Sequence, residues 1–198
     1  MTAQADNAAQ ADNAAHADNA ASADQAGPAD QAAPADRVER DRDVAGRARN
    51  ARPRDELGRP LPHGANGVPG IPDDLALPPD ESLAEAQRLL VEGRAFHAHE
   101  VLESAWKAAP EADRELWQGL AQFAVGLTHA QRGNPVGAVQ LLRRAADRVA
   151  PYSGAAGGPP HGVDVAGLVV WARALLARIE RDGLAGLTPA DLTPRLRR

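Results

Sequence analysis

The chain has 198 residues, of which 43% are hydrophobic, and a formal net charge of -5 at pH 7. This acidic balance argues against a general nucleic-acid binder, because such proteins carry a basic excess that neutralises phosphates. The absence of cysteine excludes a disulfide framework, a thiolate zinc site and cysteine-based catalysis. The opening residues do not resemble a signal peptide, and no apolar run is long enough to span a bilayer. We therefore expect a cytoplasmic protein with no membrane partner.

An aspartate-bearing repeat fills the first 36 residues, where an Ala-Asp pair recurs every six residues from Ala5-Asp6 to Ala35-Asp36. Because six residues advance an α-helix by about 600°, the repeat does not build one apolar face. Alanine also buries too little surface to offset the entropy of ordering the chain. We predict that residues 1–36 are disordered and form either a solubilising tail or a partner-binding tail.

A second biased stretch, residues 37–79, is rich in arginine, proline and glycine. Seven arginines lie between residues 37 and 54, and seven prolines lie between residues 53 and 79. Proline at this density excludes a long helix or a central strand. The arginines could contact RNA or acidic lipid, but no aromatic side chain accompanies them for stacking. The stretch is predicted to be an extended arm, with a solvated linker favoured over a nucleic-acid contact.

Helical periodicity begins near residue 80. The three tryptophans, two phenylalanines and one tyrosine of the chain all lie between residues 96 and 171, so the large apolar core should form there. Asp80 or Ser82 would cap the first helix. Gly133 would follow the end of the third helix, and Pro135 suits the first turn of the fourth. The predicted helices cover about residues 80–93, 95–108, 111–131, 135–149 and 164–181.

The first four predicted helices contain an internal repeat of about 40 residues. No segment shows the alternation of a strand, so the predicted fold class is all-α. Two tetratricopeptide-like hairpins and a closing fifth helix would form a compact bundle over residues 80–182, and residues 183–198 would form a short turn and a basic tail. Four pairs of positions coincide when the two units are aligned: Gly93 with Gly133, Ala98 with Ala138, Leu102 with Leu142, and Ala105 with Ala145.

A polar cluster lies on one face of the second predicted helix. Phe96, His99, Glu103 and Trp106 follow a 3-4-3 spacing, which places them on the side expected to pack inward, whereas His97 points elsewhere. A carboxylate buried there needs a partner, so Glu103 should meet the histidine, an arginine or a metal ion.

The third helix offers a second histidine, His129, which is expected near the start of the second helix. Together with His99 and Glu103 it could hold zinc, iron or manganese, and Glu100 could act as a general base. The string at residues 99–103 is not a zincin motif, because Glu103 stands where the second histidine belongs. The alternative interpretation is a structural His-Glu hydrogen bond that fixes the helix register.

Three strings carry a family resemblance: FHAHEVLESAW at residues 96–106, WQGLAQFAVGLTH at 117–129 and RGNPVGA at 132–138. With them the chain resembles the bacterial domain-of-unknown-function 309 family over about residues 80–182. The stretch 46–62 looks similar to an extension of actinobacterial members, which implies an arm ordered against the domain. The resemblance implies a small all-α fold and supplies no activity or ligand. The family-motif positions are His99, Glu100, Glu103, Trp106, Gly119, His129, Gly133, Asn134, Gly137 and Ala138.

Two functional hypotheses follow from these patterns. The first is a helical binding or scaffolding module with a protein partner, because the hairpins resemble repeat modules and no complete catalytic motif occurs. The second is a metal-dependent enzyme of the hydrolase class, built on His99, Glu103 and His129. The substrate, the partner and the oligomeric state stay open at this point.

Overall fold

The computed structural model describes residues 52–72, 75, 77–154 and 158–197. These residues form five α-helices and no β-strand, which confirms the all-α prediction. The predicted disorder of residues 1–36 lies outside the described residues. In chain order the helices are α1 (Pro79–Val91), α2 (Ala95–Ala108), α3 (Glu111–Gln131), α4 (Pro135–Val149) and α5 (Val165–Asp182).

The start of α1 differs from the predicted capping. The helix begins at Pro79, after Pro78, and no side chain caps it. Asp80 and Ser82 lie inside the first turn, so both capping predictions were wrong. Proline suits the first helical position because the N–H that it lacks would have no partner there. Asp80 still interacts favourably with the helix dipole, and the Ser82 hydroxyl donates to the Leu77 carbonyl at 3.2 Å.

The same glycine turn ends α1 and α3. Gly93 and Gly133 both adopt a left-handed backbone, with φ of 76° and 78°. In each turn the next residue donates its backbone N–H to the carbonyl five positions earlier, at 2.8 Å after α1 and 2.9 Å after α3. Such a turn satisfies carbonyls that the helix end leaves open. It reverses the chain at equivalent points of the two hairpins.

The repeated positions form the centre of the bundle. The alanine pair, Ala98 and Ala138, lets neighbouring helices approach. The leucine pair, Leu102 and Leu142, fills the space between them. The third position differs between the hairpins, since Ala145 is buried whereas Ala105 is half-buried. The fully buried pairs are Ala98 with Ala138 and Leu102 with Leu142.

Two glycines bring α3 and α4 into close contact. A Cβ atom at Gly119 would lie 2.4 Å from Cγ1 of Val149, and one at Gly126 would lie 2.9 Å from Cγ of Leu142. Because the two positions are seven residues apart, they lie on the same face of α3. The face that receives α4 therefore has room for glycine but not for a side chain.

The fifth helix closes the bundle. Asp164 caps α5 by accepting the backbone N–H of Gly167 at 3.2 Å, and Trp171 packs against Phe123 of α3 with ring centroids 6.0 Å apart. After α5 the chain returns to α1, where Leu196 is buried. None of the described helices is both long and apolar enough to cross a membrane.

Candidate functional site

The predicted polar cluster forms a line of side chains along α2. His99 Nε2 lies 3.3 Å from an oxygen of Glu103, and the other Glu103 oxygen lies 3.1 Å from Nζ of Lys107. The His99 and Glu103 side chains are largely covered, whereas Lys107 is exposed. Each pair is four residues apart, so its two side chains lie on one face of α2.

Burial controls the protonation of His99. Desolvation lowers its pKa below the ordinary value of 6.5, although the carboxylate of Glu103 acts in the opposite direction. The positive charges of Lys107, Arg132 and Arg54 lower the pKa further. The ring is therefore neutral at pH 7 and lies beside a carboxylate that Lys107 also contacts.

The Glu100 carboxylate faces the arm. Its Oε2 accepts the backbone N–H of Ile71 at 3.3 Å, and its charge acts on Arg54. A general base needs its carboxylate directed at a reacting group. Glu100 instead holds backbone of the arm, and this contact joins residues that are 29 positions apart.

His129 has partners of its own in the turn between α3 and α4. Its Nδ1 lies 3.0 Å from Nδ2 of Asn134, whose side-chain oxygen accepts the Gly137 N–H at 2.9 Å. That second bond fixes the amide orientation, so Nδ2 is the donor and the neutral ring carries its proton on Nε2. A Cβ at position 137 would lie 2.5 Å from His129 Nδ1. The motif residues His129, Asn134 and Gly137 therefore lock this turn.

The described residues contain no group of three or more histidine, cysteine, aspartate or glutamate side chains that could hold a metal ion. His99 pairs with Glu103, whereas His129 pairs with Asn134. The proposed three-residue site for zinc, iron or manganese therefore has no support in this part of the chain. The hydrolase hypothesis, which depends on that site, has no support either.

An aromatic contact that the sequence did not predict joins the arm to α2. Gly58 lies over the Phe96 ring with φ of 74°, and a Cβ there would lie 2.2 Å from two ring atoms. The guanidinium carbons of Arg54 and Arg132 lie 5.2 and 5.8 Å from the centroid of the same ring. Cations at this distance from a ring face are attracted to it. Phe96 is thus covered by the arm and two arginines.

The most buried histidine of α2 is His97, not His99. His97 is 2% exposed, and the backbone of Pro69 lies close enough to act on the pKa of its ring. His97 points to a different side of α2 from His99, as the spacing predicts, but that side is packed as well. The helical wheel assumed a single buried face, but α2 packs against α1, α3 and the arm. Only a prediction that placed the arm against α2 could have found this residue.

Comparison with known proteins finds a family match in the helical part of the chain. Residues 83–141 match the family model of the domain of unknown function DUF309. Over this range the chain is similar to the DUF309 family. A relative described as uncharacterized protein YpuF, from Bacillus subtilis (strain 168), is 44% identical over 48 residues. The match covers 24% of this chain and 28% of the relative. No solved structure matches the chain.

The range that matches the DUF309 model begins in α1 and ends in α4, so it contains every predicted motif position. The resemblance to that family is confirmed, while the likeness of the arm to actinobacterial members stays a prediction. Neither the family description nor the description of the relative states an activity. Among the motif residues, Glu100 contacts the arm. His129, Asn134 and Gly137 contact one another in the turn after α3, and Gly119 packs against α4.

We expect Gly58→Ala to detach the arm from α2 while the helices stay folded. The added Cβ would collide with the Phe96 ring, and alanine is also disfavoured at positive φ. Hydrogen exchange should become faster at the N–H groups of Leu61 and Val68, which are bonded within the arm. Gly64→Ala is a matched control, because Gly64 has φ of 81° but no atom within 4 Å of an added Cβ. Equal exchange in both variants would contradict the contact.

The stability of the domain should fall as the pH drops below about 6.5. Burial lowers the pKa of His97, His99 and His129 from that ordinary value. Between the lowered values and the ordinary value, the unfolded chain binds more protons than the folded one, so acid favours unfolding. Urea unfolding should give a lower free energy of unfolding at pH 5.5 than at pH 7.5. His97→Gln should flatten this dependence, and an unchanged slope would contradict the assignment.

Two substitutions distinguish the bond of Asn134 to the Gly137 N–H from its bond to His129. Asn134→Ala removes the cap of α4 and should lower the free energy of unfolding by about 1 kcal/mol. Asn134→Asp keeps an acceptor for the Gly137 N–H but places a carboxylate beside His129 Nδ1. The pKa of His129 should then rise, as an NMR titration would measure. If the pKa of His129 is the same in the wild type and in Asn134→Asp, the pairing is wrong.

Proposed function

We propose that this chain is a binding module for extended polypeptide segments and that it acts in the cytoplasm on a protein partner. The observation that carries the proposal is that side chains of the helical domain hold the backbone of the arm at separate points. The net charge of -5 disfavours a nucleic-acid partner. The cysteine-free sequence suits a reducing compartment.

Three side chains of the helical domain make these backbone contacts. Arg132, at the end of α3, donates its Nε–H to the Leu57 carbonyl at 2.9 Å. Glu100 accepts a backbone N–H at position 71, and the His97 ring lies beside the backbone at position 69. Contacts to main-chain groups supply affinity for many sequences, as in other modes of peptide recognition. This face therefore suits extended segments rather than a single folded partner.

Specificity at this face comes from the Phe96 ring. The ring leaves room for a residue without a Cβ, and Gly58 occupies that position. Arg54 and Arg132 flank the same ring and restrict what can lie beside the glycine. A partner segment would therefore place a glycine over Phe96 and pair its neighbouring carbonyl with Arg132. The partner segment would compete with the arm for this face and displace it.

Selection of peptides on the full-length chain tests this function. A displayed library of random peptides would be selected on the Gly58→Ala chain, in which the arm is expected to detach. Enriched peptides should contain glycine, bind with a measurable Kd by fluorescence anisotropy and be displaced by a synthetic peptide of residues 52–72. Arg132→Ala should weaken them at least tenfold.

The control for Arg132 is Arg143→Ala on α4. Arg143 is an exposed arginine, and its guanidinium contacts Glu180 of α5 rather than the arm. This variant should leave the affinity unchanged. The proposal fails if no peptide is enriched, or if the enriched peptides bind the Arg132→Ala and Glu100→Ala chains as tightly as the parent chain.

A further inference from the structure

The described C-terminal residues 193–197 lie along α1, on residues that take no part in holding the arm. We infer that α1 carries a second peptide site, whose occupant in trans is a basic extended segment with a leucine anchor. In the structure the chain's own C-terminal segment, residues 193–197, occupies this site. The inference rests on different residues from the proposed function, so either can fail alone.

One side chain of α1 recognises the backbone of the C-terminal segment. Gln87 donates from Nε2 to the Pro194 carbonyl at 3.0 Å and accepts the Leu196 N–H on Oε1 at 2.8 Å. In an extended chain, the carbonyl of one residue and the N–H of the second residue after it point to the same side. The carboxamide therefore matches the main chain in the way that a neighbouring strand would. It selects an extended backbone and not a side-chain sequence.

Leu196 supplies the apolar anchor of this contact. Its side chain is 1% exposed, although it is the third residue from the end of the chain. The Leu196 carbonyl also accepts the backbone N–H of Asp164 at 2.9 Å, and Arg197 bridges to Val163. Burial of an aliphatic side chain away from water stabilises the contact. A segment without an aliphatic residue at this point would lose that anchor.

An open groove continues beside the bound segment. It has a volume of about 580 Å³ and is lined by residues 193–197 together with Leu83, Ala84, Gln87 and Val91 of α1. Val91 is 67% exposed at its edge. A partner segment longer than the tail would therefore find apolar surface that the tail leaves uncovered.

Charge complementarity favours a basic occupant. Arg197 pairs with Asp80 at 3.2 Å, and the adjacent Glu81 adds a second carboxylate to the first turn of α1. The tail itself carries arginines at positions 195, 197 and 198. A tethered tail competes at an effective concentration of about millimolar, so it would exclude weak ligands and admit strong ones.

The test uses the full chain and a fluorescent peptide with the sequence of residues 188–198. Leu196→Ala in the chain weakens the tethered tail, so the peptide should bind this variant at least tenfold more tightly than the wild type. Gln87→Ala in the same chain should abolish the gain, and so should leucine-to-alanine replacement in the peptide. A peptide of residues 52–72, which addresses the arm face, should not compete.

Circular dichroism checks that the Leu196→Ala chain is folded. If it is not, Arg197→Glu takes its place, because this variant keeps Leu196 and reverses only the charge that faces Asp80. The inference is overturned if a folded variant shows no saturable binding. It is also overturned if binding persists unchanged after Gln87→Ala, since the peptide would then contact another surface.

Discussion

Trp117→Ala should lower the free energy of unfolding by about 3 to 5 kcal/mol, the range for removing a buried large aromatic side chain. Trp117 is 2% exposed on α3, and its ring centroid lies 5.5 Å from that of His161 in the loop before α5. The substitution removes the contacts that the ring makes in the core around α3 and with His161. It leaves a cavity that rigid helices cannot close. Urea unfolding followed by circular dichroism measures the loss without depending on tryptophan fluorescence.

The matched control for Trp117 is Val170→Ala on α5. Val170 is 68% exposed, so its truncation should change the free energy of unfolding by less than about 0.5 kcal/mol. A Trp117→Ala chain that unfolds within about 1 kcal/mol of the wild type would place this residue outside the core.

Gly119→Ala should destabilise the domain by about 1 to 3 kcal/mol, as overpacking of a core does. The direction is informative because alanine favours a helix over glycine by about 1 kcal/mol, so helix propensity alone predicts the opposite sign. The added Cβ would lie 2.4 Å from Cγ1 of the buried Val149, whose branched side chain cannot swing away. Thermal or urea unfolding distinguishes the two outcomes.

A double variant tests the cause of this loss. Val149→Ala removes the colliding methyl groups, so Gly119→Ala with Val149→Ala should be more stable than the sum of the single effects predicts. Strict additivity would show that the two residues do not touch. Stabilisation by Gly119→Ala alone would show that α3 and α4 lie farther apart than in the structure.

Local sequence signals predicted the helices well because their causes are local. Proline and glycine mark the ends of α2, α3 and α4 within a few residues of the observed bounds. The repeated alanine and leucine positions identified the centre of the bundle. The cap of α1 was mispredicted because Pro79 can begin a helix without a side-chain cap, so the polar residues after it only resemble caps.

The site was harder to predict because its contacts join distant parts of the chain. The pairing of His99 with Glu103 follows from a spacing of four residues. His129 met Asn134 rather than α2 because a partner five residues away, in the same turn, competes with one on another helix. The backbone of Pro69 in the arm acts on the His97 ring, and the spacing of α2 alone contains no information about the arm.

The contact of the C-terminal segment with α1 also bears on how the domain folds. Each helix packs against its neighbour in the chain, so most of the core can assemble from short loops, a topology that folds quickly. The Gln87 bonds instead join residues 107 and 109 positions apart. Closing so long a loop costs entropy that only a formed α1 surface can offset. The tail should therefore attach last in folding and open first in unfolding, at free energies below that of global unfolding.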